Sequence, residues 1–276
     1  MWAAGLAGQA AVRCTDPVPI YRLIDEPIFP DPRLAGPEGL VAVGGDLSPQ
    51  RLLNGYASGI FPWYSEGDPI LWFSPDPRMI LDTSSLRLSR SHRRVLRRFL
   101  AEADMHDGQG EGYAITLDGD FDAVIRACAQ TPRNDQDGTW ITTDMIEAYN
   151  RLHSLGFAHS AETWQGGRLI GGVYGVSVGD YFAAESMFHR SDGASLAALV
   201  ALIRHLEHVG VGLFDCQLHS AHTERLGARE VPRGRFLDLL TAAVRRETRV
   251  GPWQFTLSRD LLLRGANPYH GGSGGA

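Results

Sequence analysis

The sequence predicts an α+β fold in two parts: a small N-terminal α+β domain, and then a domain whose mixed, largely antiparallel sheet is flanked by helices. The chain has 276 residues, 43% of them hydrophobic, which is enough to bury one large core or two modest ones. Short apolar runs between Pro and Gly turn signals fill the first part, and longer helical and strand patterns fill the second. We therefore place the small domain at residues 17–86 and the larger one at 87–256, with a disordered N-terminus at 1–16 and a C-terminal tail at 257–276.

In the small domain one segment has the signature of a helix. "SPQRLLNGYASG" begins with Ser48, a residue type that caps helices, and Pro49 follows at the first helical position, where its missing N–H costs nothing. The apolar runs "GLVAVGG", "GIFPWY" and "PILWFSPDPRMIL" are short and bounded by turn residues, which is typical of strands.

The larger domain alternates between helical and strand patterns in a definite order. "DGDFDAVIRACAQ" and "TTDMIEAYNRLHSLG" have apolar positions at helical spacing after an Asp or Thr cap, and Gly156 ends the second. "AHSAETW", "RLIGGVYGVSVG" and "YFAAESMF" are strand-like, and the turns "QGG" and Gly179–Asp180 join them into an antiparallel meander. A helix "GASLAALVALIRHLEHVG", a strand "VGLFDCQ" and a helix "RGRFLDLLTAAVRR" follow. This order is that of an N-acetyltransferase-like (GNAT) domain, a fold-level analogy that assigns no substrate.

The last strand carries candidate catalytic side chains. If "LFDCQ" is extended, Asp215 and Gln217 share one face, while Cys216 points to the other face with Phe214 as a small buried residue. The end of a strand is a common ligand position in open sheets. The alternative is that Asp215 only caps or bonds a neighbouring loop.

Glu185 in "YFAAESMFHR" is a carboxylate inside an apolar strand, where it requires a cationic or hydrogen-bonding partner. Arg190 is the structural candidate for that partner, and a substrate amine or guanidinium is the functional one.

Composition narrows the classes of function. No stretch has the roughly 18 to 20 apolar residues that span a bilayer, and the three cysteines are odd in number and widely spaced, so we expect a cytoplasmic protein without a disulfide framework. The net charge of −6 argues against a general polyanion binder, yet "RLSRSHRRVLRR" concentrates six arginines without an acid. Cys216, His219 and His222 form one tight triplet without a second ligand pair, a weak match to a zinc site, and we predict no metal.

Several longer motifs, in this order, resemble the leucyl/phenylalanyl-tRNA–protein transferase family. They are "GLVAVGGDLSPQRLLNGYASGIFPWY", "PILWFSPDPRMIL", "GTWITTDMIEAYNRLHSLGFAHSAETW", "LIGGVYGVSVGDYFAAESMFHR" and "FDCQLHSAHTERLGAREVPRGRFLDLL", which are collinear from about residue 28 to residue 240. The resemblance implies an aminoacyltransferase that moves Leu, Phe or Met from a charged tRNA to the N-terminal α-amino group of a protein beginning with Arg or Lys, which marks that protein for degradation. Because the aminoacyl ester is already activated, the resemblance implies no cofactor. We also expect the protein to be a monomer.

The resemblance also assigns roles to individual residues. The catalytic Asp and Gln correspond to Asp215 and Gln217, and the Glu of "ESMF" corresponds to Glu185. The tryptophans that hold the tRNA 3′ end correspond to Trp63 and Trp140, and the apolar amino-acid pocket corresponds to Phe182, Met187 and Phe214, with Leu199 and Leu202 beside them. The arginines at 87, 90, 93, 94, 97 and 98 would bind acceptor-stem phosphates without reading bases, with Arg87, Arg90, Arg94 and Arg97 near one helical face. In the alternative, the tryptophans are core residues and the arginines a solvated face.

Two other functions compete with the transferase. An acyl-CoA-dependent N-acetyltransferase would share the fold, and "RSDGAS" (residues 190–195) partly matches its pyrophosphate loop. That reading gives no role to the arginines or to Trp63 and Trp140. A non-catalytic tRNA-binding module would use the arginines and leave Asp215, Gln217 and Glu185 without a function.

Overall fold

The structure is a computed structural model that describes residues 20–100, 112–131, 140–254 and 256–264. The predicted disordered N-terminus, 1–16, lies outside these residues. The described chain forms a four-stranded sheet and a seven-stranded sheet with helices around them, which confirms the α+β class. None of the described helices has both the length and the apolar character needed to cross a bilayer.

The small sheet comes from the N-terminal part of the chain and has the strand order β1-β2-β4-β3. Its strands are β1 (Tyr21–Arg22), β2 (Leu40–Val43), β3 (Phe61–Pro62) and β4 (Leu71–Phe73). Between β2 and β3 lies helix α1 (Pro49–Ala57), where Ser48 accepts a hydrogen bond from the N–H of Arg51 and Pro49 occupies the first turn, as predicted.

The large sheet has the order β11-β5-β10-β9-β8-β7-β6. Its strands are β5 (Arg78–Asp82), β6 (Tyr113–Leu117), β7 (Ala158–Gln165), β8 (Arg168–Val178), β9 (Tyr181–His189), β10 (Leu213–Gln217) and β11 (Arg229–Val231). The pairs from β6 to β9 are antiparallel, so the predicted meander is confirmed, and β10 then pairs parallel to β9 and antiparallel to β5. β10 therefore lies inside the sheet, between two strands that are far apart in sequence.

Helices cover both faces of the large sheet. They are α2 (Arg90–Leu100), α3 (Phe121–Gln130), α4 (Thr143–Ser154), α5 (Ala194–Val209), α6 (Ala221–Arg225), α7 (Arg233–Ala243) and α8 (Arg259–Leu263). One buried cluster contains the apolar side chains of α2 and α5, and a second contains those of α1, α3, α4 and α7 together with the small sheet. We call these the α5 core and the α4 core. Because β-strand side chains alternate, consecutive residues of β9 and β10 enter opposite cores.

Differences from the sequence interpretation include the following segments. β5 falls inside the predicted small domain, but it pairs with β10 and β11 in the large sheet, because its apolar side chains fit between the two cores. β6 had not been predicted. In the predicted tail, Leu257 and Leu262 are buried in the α5 core, so this part of the tail packs against the larger domain; residues 265–276 lie outside the described part.

Candidate active site

Asp215 lies near the end of β10, where the strand bulges. Register with β5 shifts between Asp215 and Gln217, so Cys216 is an extra residue without a partner on β5. The guanidinium of Arg78 on β5 donates to the Asp215 carboxylate through Nη2 (2.6 Å to Oδ2) and Nε (2.9 Å to Oδ1). The hydroxyl of Tyr181 donates to Oδ2 at 2.6 Å. Both oxygens of this fully buried carboxylate therefore accept hydrogen bonds from side chains of neighbouring strands, and Asp215 does not cap a loop.

Gln217 links Asp215 to Glu185. Its backbone N–H donates to Asp215 Oδ1 at 2.8 Å, and its side-chain amide donates to Glu185 Oε1 at 2.7 Å. The predicted strand and its alternation are confirmed for the opposite face, where Phe214 and Cys216 are buried in the α5 core. The bulge gives Gln217 a left-handed backbone, with φ of 61°, that periodicity alone does not predict.

Glu185 also occupies a bulge, this time between β8 and β9. Ser186 pairs with Tyr174 and Ala184 with Gly175, which leaves Glu185 between them without a backbone partner. Its Oε2 accepts a hydrogen bond from the hydroxyl of Tyr149 at 3.2 Å. The hydroxyl of Tyr149 in turn contacts that of Tyr56 from α1.

The electrostatics of this cluster follow from its burial. Burial raises the pKa of Glu185 from 4.5 to about 7, and the neighbouring Asp215 adds to the rise, whereas hydrogen bonds from tyrosines 56 and 149 and from Gln217 act in the opposite direction. Burial and the nearby carboxylates raise the pKa of all three tyrosines, 56, 149 and 181, well above 10, so each keeps its hydroxyl proton at neutral pH. Glu185 is therefore a carboxyl group that can exchange its proton near neutral pH, and it lies beside Asp215, which is paired with Arg78.

Arg190, the internal partner considered for Glu185, is engaged elsewhere. Its guanidinium donates to the carbonyl of Leu169 at 2.9 Å and lies 5.4 Å from the ring centre of Phe188. Within the described chain, the side chains that bond Glu185 are neutral, so no described cation directly compensates the charge of Glu185.

The residues assigned to the apolar pocket lie across the sheet from these carboxyls. Phe182 and Phe214 stack at 5.7 Å, and Leu199 and Leu202 on α5 pack in the same α5 core. These four side chains have no exposed surface, whereas Met187 is partly buried against the same core. The structure therefore places all five pocket residues in or against the α5 core, on the face of the large sheet opposite Gln217.

The two tryptophans lie on the same side of the large sheet as Glu185. Trp63, just after β3, and Trp140, just before α4, are each half-buried and pack against the α4 core, to which Tyr56 and Tyr149 also belong. Trp63 meets Phe73 edge to face at 5.5 Å. Each tryptophan side chain is thus packed against the core on one side and remains partly accessible to solvent.

The Arg-rich segment begins at Arg87, before α2, and continues along the helix to Arg98 in its last turn. Five of its arginines are exposed and Arg93 is half-buried. Arg87 precedes the helix, which starts at Arg90, so the expectation that Arg87 shares its face is wrong; its backbone N–H instead donates to the carbonyl of Leu226. Arg98 donates to the carbonyl of Asp192. Within the described chain none of these six arginines forms an ion pair, which leaves the charge of the segment uncompensated.

The Cys and His triplet of the sequence is dispersed. Cys216 is buried in the α5 core, and burial raises the pKa of its thiol. His219 is exposed beside Glu224 at 3.5 Å, while burial lowers the pKa of His222 to about 4. Among the described residues no three Cys, His, Asp or Glu side chains are grouped closely enough to hold a metal ion.

Sequence reasoning missed four members of the site: Arg78, Tyr56, Tyr149 and Tyr181. Each had one local signal, because each places a polar group inside an apolar strand or on the apolar side of a helix. That signal shows that a partner is needed without showing which residue supplies it.

Comparisons with known proteins agree with the resemblance in the sequence. The family model described as leucyl/phenylalanyl-tRNA protein transferase matches residues 80–241, and the model of the N-terminal domain of the same family matches residues 45–76. A leucyl/phenylalanyl-tRNA–protein transferase of Anaeromyxobacter dehalogenans is 51% identical over 86% of this chain and 97% of the relative. One of Syntrophotalea carbinolica is 53% identical over 82% of this chain and 93% of the relative. Among solved structures, L-PGS from Bacillus licheniformis shares 11% identity over 75% of this chain and 73% of that chain, with a TM-score of 0.39, which is too low to bear on the fold.

Proposed function

The chain belongs to the leucyl/phenylalanyl-tRNA–protein transferase family and is thus an aminoacyltransferase, and we propose that it moves Leu, Phe or Met from aminoacyl-tRNA to the N-terminal α-amino group of proteins beginning with Arg or Lys. The transfer would mark these proteins for degradation through their N-termini. We place the enzyme in the cytoplasm, as a monomer.

The observation that carries the proposal is the chain of contacts from Asp215 through Gln217 to Glu185. An α-amino group must lose a proton to attack an ester, and a carboxyl group with a pKa of about 7 is suited to accept it at neutral pH. The side-chain oxygen of Gln217 is an acceptor that can orient an amine N–H. Asp215, with both oxygens engaged, acts by holding Gln217 and by contributing negative charge where positive charge develops.

The uncompensated charge of Glu185 supports the choice of acceptor. A buried carboxylate whose direct hydrogen-bond partners are neutral gains from a cationic ligand, and a peptide that begins with Arg or Lys brings such a cation along with its amine.

The tRNA would be held by two surfaces. The exposed arginines of α2 supply positive charge for acceptor-stem phosphates, and the exposed parts of Trp63 and Trp140 offer stacking surfaces for the terminal bases. The apolar side chain of the transferred residue would be received among Phe182, Phe214 and Met187; in that case the core there must open, since Phe182 and Phe214 have no exposed surface.

We infer further that the larger domain is of the N-acetyltransferase type. Support comes from the order of its elements, in which three antiparallel strands, β7 to β9, are followed by helix α5 and by β10 parallel to β9. The common fold would provide the site for acyl transfer without a CoA-binding function.

One assay separates the transferase from its two rivals. The protein is incubated with radiolabelled Leu-tRNA and a peptide beginning with Arg, and in parallel with labelled acetyl-CoA and the same peptide. We expect leucine transfer, which is lost in Asp215→Ala and with a peptide whose N-terminus is already acetylated. Label arriving only from acetyl-CoA would refute the proposal in favour of an N-acetyltransferase, and retention of tRNA without transfer would refute it in favour of a binding module.

A further inference from the structure

Arg78 is a buried cation that depends on Asp215 for its countercharge. Its side chain is 1% exposed, and its Nη1 donates to the carbonyl of Gly59 at 3.2 Å. The guanidinium carbon lies 4.9 Å from the ring centre of Phe61 and 4.5 Å from that of Phe236. These contacts leave the two remaining nitrogens, Nε and Nη2, directed at the carboxylate of Asp215.

A bidentate pair of this kind fixes the orientation of the carboxylate as well as its charge. Without the guanidinium of Arg78, the buried charge of Asp215 would have no direct counterion, which is costly in a protein interior. A carboxylate held in another orientation could not accept the hydrogen bonds of Arg78, Tyr181 and the N–H of Gln217 together.

The hydrogen bond to Gln217 has a consequence for the backbone. With φ of 61°, Gln217 has the left-handed conformation that is unfavourable for a residue with a Cβ atom. The bond from its N–H to Asp215 Oδ1 stabilises that conformation, in which the side-chain amide meets Glu185 at 2.7 Å. A change in the orientation of the Asp215 carboxylate would therefore be transmitted to the amide of Gln217.

We infer that Arg78 is a positioning residue, which fixes the orientation of the Asp215 carboxylate and thereby holds Gln217 in the conformation that presents its amide beside Glu185. The inference rests on the proposed function, because it concerns the same reaction. Arg78 touches no substrate in this account and acts through Asp215 alone.

A double-mutant cycle tests this coupling. Steady-state transfer of leucine to the Arg peptide is measured for the wild type, Arg78→Met, Asp215→Asn and the double variant, at saturating and limiting Leu-tRNA. For Arg78→Met we expect kcat to fall roughly 100-fold with KM for Leu-tRNA changed by less than about twofold, because positioning is lost while tRNA contacts remain. In the Asp215→Asn background the same substitution should lower kcat by less than about threefold, because the carboxylate that Arg78 orients is already absent.

Arg51→Met is the matched control for the loss of a buried guanidinium. Arg51 has no exposed surface, and it bonds the carbonyls of Ile24, Asp25 and Glu26 and the carboxylate of Asp46, away from Asp215. We expect this variant to be less stable toward urea but to keep kcat in its folded fraction. A fall in kcat like that of Arg78→Met would show that the effect is structural and would overturn the inference.

Arg78→Lys decides the matter if Arg78→Met does not fold. Lysine keeps the charge but cannot form the bidentate pair, so we expect a folded protein whose kcat lies between those of the wild type and Asp215→Asn. Wild-type kcat in this variant, or losses that simply multiply in the double-mutant cycle, would refute the role of Arg78. No transfer by the wild-type protein would instead refute the proposed function itself.

Discussion

Replacing Glu185 with Gln should stabilise the folded protein above pH 7 while abolishing leucine transfer. Gln has the shape of the protonated carboxyl group. Its amide oxygen can accept from Gln217, and its NH2 group can donate to the hydroxyl of Tyr149, which contacts Tyr56. The substitution therefore removes a buried charge with little change in packing.

The magnitude follows from the pKa of Glu185. Folding raises this pKa from 4.5 to about 7, so between those values the folded chain holds a proton that the unfolded chain has lost. The stabilising contribution of Glu185 is thus fully present below pH 4.5 and is lost as the pH rises through 7. At about 1.4 kcal/mol for each pH unit, the loss amounts to about 3 kcal/mol. Since Gln does not titrate, Glu185→Gln should equal the wild type in stability near pH 4.5 and exceed it by about 3 kcal/mol at pH 8, or by about 2 if one hydrogen bond is lost.

Urea unfolding between pH 4.5 and pH 8, together with the transfer assay, measures both effects. Glu162→Gln is the control, because Glu162 is also buried, its pKa is also raised to about 7 by burial, and its partners Thr116, Ser160 and Gly119 can bond an amide equally well. We expect both variants to gain stability above pH 7, and Glu185→Gln alone to lose transfer. A Glu185→Gln protein that is no more stable than the wild type at pH 8, or that still transfers leucine, would show this account of Glu185 to be wrong.

Three further predictions concern other parts of the molecule. Arg94→Ala with Arg97→Ala should weaken tRNA binding and reduce the slope of log Kd against log salt concentration by about two, without a change in melting temperature; equal affinity at low salt would exclude α2 from the tRNA site. Gly193→Ala should destabilise the protein by about 1 to 3 kcal/mol in thermal unfolding, because φ is 82° and a Cβ would lie 2.2 Å from Val95 Cγ1; an unchanged melting temperature would contradict this contact. In a background with Cys14→Ser and Cys128→Ser, Cys216 should react with a thiol reagent only after denaturation, because burial raises the pKa of its thiol, and rapid labelling of the native protein would contradict its burial.

Local patterns in the sequence were sufficient for most of the larger domain. The predicted strands of the meander, the helix ended by Gly156 and the buried position of Cys216 are all confirmed, because each depends on a period of two or 3.6 residues or on a nearby capping residue. β6 and α6 were missed, since a five-residue element in mixed sequence has too few periods to be recognised.

The candidate site could be predicted only in part. Alternation in "LFDCQ" and the buried carboxylate in "ESMF" made Asp215, Gln217 and Glu185 candidates, with structural roles still open, and the family resemblance assigned the site to the same three residues. The bulges at Cys216 and Glu185 were not predictable, because a bulge arises from the register of two paired strands rather than from the sequence of one.

The sequence by itself determined the order of the elements, the family and the side chains that needed partners. Tertiary structure decided which partners they found. Asp215 pairs with Arg78, which is 137 residues away in the sequence, and Tyr149 contacts Tyr56, which is 93 residues away. It also placed the carboxyls and the predicted apolar pocket on opposite faces of one sheet. The physical reason is that periodicity and capping act within a few residues, whereas an ion pair in a protein interior depends on which strands pair, and that is settled only when the whole sheet assembles.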